Sequence, residues 1–156
     1  SMFLHGGWLH VLGNLLYLRV FGDNIEDRLG VLRYLAFYLL AGIAGAAAQY
    51  FVDPQSPVPM VGASGAISGV LGMYLVLFPM ARIVTLFPVF IFLTFIEVPA
   101  FLFLGLWVLQ QTVYGWFSLE AAAGAQGGVA WFAHLGGFAV GFFFGAVSRI
   151  RRRRRR

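Results

Sequence analysis

The 156-residue chain contains no cysteine and no lysine, and only 11% of its residues are charged. The missing cysteine removes disulfides, thiolate metal sites and thiol nucleophiles together. The shortage of charge is equally informative, because an ordinary soluble domain carries roughly 25% charged and 45–50% apolar residues. Here 60% of the residues are hydrophobic and 17% aromatic, and the mean hydropathy is +0.83. That excess is too large for one water-soluble core, and it excludes a soluble enzyme, a nucleic-acid module and a disordered tail. Together with 20 glycines, which let helices approach closely in lipid, it describes a polytopic membrane protein. The formal net charge of +5 does not make nucleic acid a partner. The run Arg151 to Arg156 supplies more than that excess and suits a membrane-flanking anchor in contact with anionic lipids.

A helix crosses a ~30 Å hydrocarbon core in roughly 17–25 apolar residues. Five stretches are candidates: about Trp8 to Phe21, Val31 to Val52, Ser64 to Met80, Pro99 to Phe117 and Val129 to Ile150. The expected fold is therefore all-α, a polytopic transmembrane helical bundle. A sixth apolar stretch, Ile83 to Ile96, holds Pro88 and is short for a span, so it is expected to be interfacial or re-entrant. The connectors carry loop chemistry: Gly22-Asp23-Asn24, Asp53 to Pro59, and the Gly- and Ala-rich Glu120 to Gly128. All eleven basic residues are Arg. When the five spans are threaded, Arg19, Arg28, Arg33, Arg82, Arg149 and the terminal run fall on one side. By the positive-inside rule that side is the cytoplasm, with the N-terminus, Asp53 and Glu120 outside, and a prokaryotic cell membrane is the expected location. Ser1 to Gly7 lacks the basic region of a signal peptide, so a further span is expected upstream. Residues 1–150 then read as an N-terminally truncated membrane domain, and residues 151–156 as an Arg-rich cytoplasmic tail.

Polar groups inside apolar spans are costly in lipid and so mark candidate functional residues. His10 and Asn14 lie four apart near the outer end of the first span, about 40° apart around a helix, and share a face. His5 would be turned about 140° from His10 on a helix, so the two do not form the same-face pair of a helical metal motif. Ser64 stands in Gly62-Ala63-Ser64-Gly65 at the outer start of the third span. His134 stands in Ala133-His134-Leu135-Gly136-Gly137, ~9 Å into the last span from the same side. Topology thus gathers Ser64, His134, His10 and Asn14 in the outer third of the bundle. A serine hydroxyl is a poor nucleophile until a base takes its proton, and His134, or failing that His10, is the imidazole at that depth. Free N–H groups at a helix start around Ser64, with His10 and Asn14, can face a developing oxyanion. Gly65, Gly69 and Gly72 on one span, and Gly137, Gly141 and Gly145 on another, have the small-residue spacing that lets backbones touch. Each feature also has a plainer reading. The Gly-Ala-Ser-Gly segment can be a helix contact, His134 a satisfied core residue or proton relay, and His10 with Asn14 an interhelical hydrogen-bonding pair.

Taken in order, these motifs resemble the rhomboid family of intramembrane serine proteases, from Ser1 through Ser148. His5 and His10-Val11-Leu12-Gly13-Asn14 match the family's H-x-x-x-N region, and Glu26-Asp27-Arg28-Leu29-Gly30 its E-x-R-x-G turn. Gly62-Ala63-Ser64-Gly65 matches G-x-S-G, and Ala133-His134 with Gly137 and Gly141 matches A-H-x-x-G-x-x-x-G. The resemblance implies that Ser64 is the nucleophile and His134 the general base of a dyad without a catalytic acid. It implies that His10 and Asn14 stabilise the oxyanion, and that Gly62, Gly65, Glu26, Arg28, Gly137 and Gly141 are structural. None of the six acids, Asp23, Glu26, Asp27, Asp53, Glu97 and Glu120, falls within the five spans as drawn. Two departures stand out. The family's first transmembrane helix and most of the loop after it, with a Trp-Arg pair common there, are absent. The aromatic residue that many bacterial members place one turn after the serine, stacked on the histidine, is here Ser68, which suggests an imidazole held in another way.

The activity expected from this resemblance is hydrolysis of a peptide bond in or beside a transmembrane segment, so membrane protein substrates and lipids are the expected partners. The span Pro99 to Phe117 resembles the family's lateral gate. No cofactor or metal is implied: an H-E-x-x-H motif is absent, and there is no facing pair of intramembrane Asp residues. Two other classes remain open, a catalytically silent rhomboid-like protein that binds membrane clients, and a small transporter or channel subunit using His10, Asn14 and His134.

Overall fold

The computed structural model describes residues 1–56, 58–89, 92–121 and 128–153. In chain order these form α1 (Trp8–Leu29), α2 (Val31–Val52), α3 (Ser64–Leu77), β1 (Arg82–Val89), β2 (Phe92–Pro99), α4 (Ala100–Ala121) and α5 (Trp131–Arg153). Helices dominate, as expected. Val31–Val52, Ala100–Leu119 and Trp131–Ile150 are each long and apolar enough to cross a membrane. The other two helices reach the bundle differently. Helix α3 has 14 residues, ~21 Å of helix, which is shorter than a bilayer core. It stands in the middle of the molecule with eleven of those residues buried, so protein rather than lipid surrounds it. Helix α1 presents Trp8, Leu9, Leu12, Leu15 and Leu16 outward and buries Asn14, Phe21, Gly22 and Ile25.

Two details depart from expectation. Gly22-Asp23-Asn24 is not a connector, because α1 continues through it to Leu29. Phe21 and Ile25, at 2% and 0% exposure, carry the buried face across these residues, and Arg19 pairs with Asp23 one turn on at 3.0 Å. The reversal comes instead at Gly30, whose φ of 77° favours glycine and whose N–H donates to the Glu26 carbonyl at 2.7 Å. The stretch expected to be interfacial or re-entrant is an antiparallel hairpin, with Arg82 opposite Pro99 and Val89 opposite Phe92. Its runs of Ile, Val, Thr and Phe suit a pleated strand, and Pro88 is tolerated because each strand of a two-stranded ribbon has a free edge. Arg82 Nη1 meets Glu97 Oε2 at 3.1 Å near its open end. Helix α5 extends to Arg153, and residues 154–156 lie outside the described residues.

Helix α3 packs most extensively on α5, and the contact is backbone to backbone. A Cβ at Gly137 would collide with the Gly65 carbonyl, and one at Gly141 with the Gly69 carbonyl. A Cβ at Gly72 would strike the Phe138 carbonyl in return. In lipid there is little hydrophobic drive to bring helices together, so this close van der Waals contact is what association rests on. At the inner end Arg149 Nη1 donates to the Val76 carbonyl at 3.2 Å, satisfying a group that the end of α3 leaves free. Gly141→Ala should therefore lower the unfolding free energy by about 1–3 kcal/mol. Gly105→Ala, where a Cβ would meet nothing within 4 Å, should leave it unchanged or slightly raised. Thermal unfolding in detergent, followed by circular dichroism, compares the two.

Candidate active site

Helices α1, α3 and α5 start on the same side of the bundle, and each brings one part of the site within its first two turns. Ser64 is the first residue of α3. His134 lies in the opening turn of α5, only 9% exposed. Its Nε2 is 2.8 Å from Ser64 Oγ, a contact across 70 residues of sequence that depends on the close approach of α3 and α5. The other ring nitrogen, Nδ1, is 2.7 Å from Oε1 of Gln111 on α4. Two tryptophans flank the ring. Trp107, one turn before Gln111, lies 6.0 Å away at 35°, and Trp131 meets it edge-on at 6.3 Å and 88°. The aromatic support missing after the serine is thus supplied from α4 and α5. Ser68 donates to the Ser64 carbonyl at 2.6 Å instead.

Helix α1 contributes His10 and Asn14, both on the wall of a cavity of about 540 Å³ that also reaches Ser64 and His134. The Asn14 amide nitrogen is buried and has no hydrogen-bond partner among the described residues. His10 Nδ1 accepts from the Gly6 N–H at 3.4 Å, which leaves the ring proton on Nε2 as a donor. That nitrogen sits where a side chain on Gly62 would be, 2.7 Å from the ideal Cβ position, itself 3.7 Å from Ser64 Oγ. Gly62 also has a φ of 119°, so both space and backbone demand glycine there. His5 precedes α1, and helical spacing does not apply to it: its ring meets that of His10 edge-on at 5.0 Å. Glu26 and Arg28 lie at the far end of α1, where the Arg28 guanidinium rests 4.9 Å from the centre of the Phe78 ring. Among the described residues, no group of three or more His, Cys, Asp or Glu is placed to hold a metal ion.

Two residues of the site went unnoticed in the sequence, Gln111 and Gln49. Gln49 on α2 accepts with Oε1 from the backbone N–H groups of Phe132 at 3.1 Å and Ala133 at 3.4 Å. It therefore caps the start of the helix that carries His134. Both are amides inside otherwise apolar spans, the same signal that singled out Asn14.

The sequence pattern of the Rhomboid domain matches residues 1–151. The chain belongs to the rhomboid family. It is 31% identical to RHOMBOID-like protein 5 of Arabidopsis thaliana over 96% of this chain and 43% of that protein. It is 32% identical to Rhomboid protein 1, mitochondrial, of Saccharomyces cerevisiae over 99% of this chain and 43% of that one. Rhomboid protease GluP of Bacillus subtilis is 44% identical over 72 residues, 46% of this chain and 14% of GluP. The chain thus spans less than half the length of these relatives. This rhomboid domain, with its apolar helices, makes the protein an integral membrane protein. The relatives range from a bacterial protein to a mitochondrial one, so membership does not choose the membrane.

Placing a methyl group on Gly62 should push the His10 ring aside and strain the turn before Ser64. Gly62→Ala is expected to cost about 1–3 kcal/mol of unfolding free energy and to shift the His10 imidazole resonances. Gly128→Ala, where a Cβ would meet nothing within 4 Å among the described residues, should change neither.

Proposed function

We propose that this rhomboid domain is an intramembrane serine endopeptidase, with Ser64 as nucleophile and His134 as general base. The observation that supports it most directly is the 2.8 Å separation of Ser64 Oγ and His134 Nε2 at the wall of the cavity. His134 Nε2 takes the hydroxyl proton as Ser64 Oγ attacks the scissile carbonyl. The negative charge that develops on the carbonyl oxygen is met by the free backbone N–H groups of the first turn of α3. The unpartnered Asn14 amide and the His10 Nε2–H add two side-chain donors. The imidazolium then returns its proton to the departing amine, and water attacking through the same base releases the acyl group and restores Ser64. No carboxylate is needed in this scheme, and an amide stands behind the ring.

Substrate access follows from the shape of the cavity. Leu9 and Tyr17 of α1 and Trp107 of α4 line its sides, while Phe21 and Phe103 close these two helices together deeper in the bundle, with ring centroids 6.3 Å apart. In this reading a substrate enters between α1 and α4 near Ser64, on the outer side by the arginine distribution. A transmembrane segment entering there must unwind before its backbone can be cut, so small or helix-breaking residues at the scissile bond are the expected preference.

The test is cleavage of a single-span substrate in liposomes. Wild-type protein should cut it, and Ser64→Ala or His134→Ala should lower the rate by about 10⁴-fold or more. His10→Ala and Asn14→Ala should each lower kcat by about 10²–10³-fold if they are oxyanion donors; near-normal turnover in these two would remove that role while leaving the dyad. A folded, inserted wild-type protein that cuts none of several substrates would instead be the client-binding kind of rhomboid.

A further inference from the structure

We infer that Gln111 is a positioning residue that holds the His134 imidazole in the one tautomer able to deprotonate Ser64. This rests on the hydrolytic reading above, and it concerns a contact that the dyad by itself does not require.

The argument starts from hydrogen-bond capacity. A neutral imidazole has one N–H and one lone pair, and which nitrogen carries the proton is decided by its partners. His134 has a polar partner at each nitrogen, Gln111 Oε1 at 2.7 Å and Ser64 Oγ at 2.8 Å. A serine hydroxyl can donate or accept and so imposes nothing. An amide oxygen can only accept, so the contact with Oε1 puts the proton on Nδ1 and leaves the Nε2 lone pair facing the Ser64 hydroxyl. The opposite tautomer would point an N–H at Ser64 and could not take its proton. Both residues are buried, Gln111 at 4% and His134 at 9% exposure, so water does not compete readily for the contact. Trp107, on the turn of α4 before Gln111, limits the tilt of the ring from the same helix.

The choice of amide follows from the setting. A carboxylate behind the ring would orient it equally well, but an ionised acid among apolar spans is costly, whereas a neutral amide gives direction without charge. Helix α4 thereby takes part in the reaction through a residue that touches no substrate.

The experiment compares Gln111→Met, which keeps the length of the side chain but removes the acceptor, with Gln111→Glu, which retains one. Gln110→Met, on the exposed neighbouring position, controls for the substitution itself. In the substrate assay Gln111→Met should lower kcat by about 10- to 100-fold with KM within about twofold, and Gln111→Glu should recover most of that loss. A second readout needs no turnover. The ¹⁵N spectrum of the His134 ring, assigned by its absence in His134→Ala, should show a protonated Nδ1 and a bare Nε2 in the wild type, and lose that preference in Gln111→Met. Reaction of Ser64 with a fluorophosphonate probe separates the two layers of the argument. A wild type that neither labels nor cuts, yet shows the Nδ1–H tautomer, would overturn the hydrolytic reading and leave the contact standing. A wild type that labels, with Gln111→Met labelling equally fast or with the proton found on Nε2, would overturn the role of Gln111 alone.

Discussion

The approach of α3 to α5 at backbone distance is the constraint on which the rest of the structure depends. Where Gly137 lies against the Gly65 carbonyl and Gly141 against the Gly69 carbonyl, no side chain separates the two helices. Ser64 immediately precedes Gly65 and His134 stands one turn before Gly137, so the same alignment brings Ser64 Oγ to 2.8 Å from His134 Nε2. Register along this seam and geometry at the site are therefore one quantity. A shift that lengthened the glycine contact would lengthen the serine–histidine contact too, because helices are stiff over two turns. The central helix can be short for the same reason. Surrounded by protein, α3 has no lipid to match, and its length is set by where its neighbours need Ser64 and where Arg149 meets Val76.

The site draws on the other helices through hydrogen bonds and rings rather than glycines. Gln49 of α2 caps the start of α5, and Gln111 of α4 holds the far side of the imidazole. Tyr114 and Trp131 pack 5.1 Å apart where α4 meets α5. Helix α1 brings His10 and Asn14 to the cavity wall by way of its first two turns. The seam between α3 and α5 is rigid by shape, while α1 and α4 meet at Phe21 and Phe103 and border the cavity above that contact. On the proposed proteolytic reading, motion that admits a polypeptide would fall at α1 and α4 and leave undisturbed the seam that aligns Ser64 and His134.

Much of this was legible from the chain. Four of the five helices lie close to where the apolar runs place them, since a run long enough to span lipid has few other solutions. The gathering of His10, Asn14, Ser64 and His134 followed from alternating topology, and the glycine spacing pointed to the pair of helices that touch. What escaped has physical causes. Gly22-Asp23-Asn24 carries strong loop chemistry, yet the buried faces of Phe21 and Ile25 on either side outweigh local preference. Ile83 to Ile96 is short and apolar, a pattern in which hairpin and membrane segment look alike until pairing is seen. Gln111 and Gln49 carry the same polar signal as Asn14 but stand outside every recognised motif, and nothing in the sequence gives either of them a partner. Their roles appear only once α2, α4 and α5 are placed side by side.

The arginines with defined contacts lie apart from the candidate site along the bundle. At the site end the working groups are a hydroxyl, two imidazoles and the amides of Asn14, Gln49 and Gln111, each capable of being neutral. The arginines that make defined contacts are elsewhere: Arg19 with Asp23, Arg28 over Phe78, Arg82 with Glu97, and Arg149 on the Val76 carbonyl. A neutral set can be buried between spans at the cost of satisfied hydrogen bonds, whereas a carboxylate would need a partner charge or water beside it. On the proposed hydrolytic reading, that restriction favours a base oriented by an amide over one oriented by an acid, and it would leave stabilisation of the transition state to donors that are already in place. The solvent around the bundle thus limits which buried polar groups it can hold, and the proposed serine–histidine chemistry with its uncharged donors is one the bilayer permits.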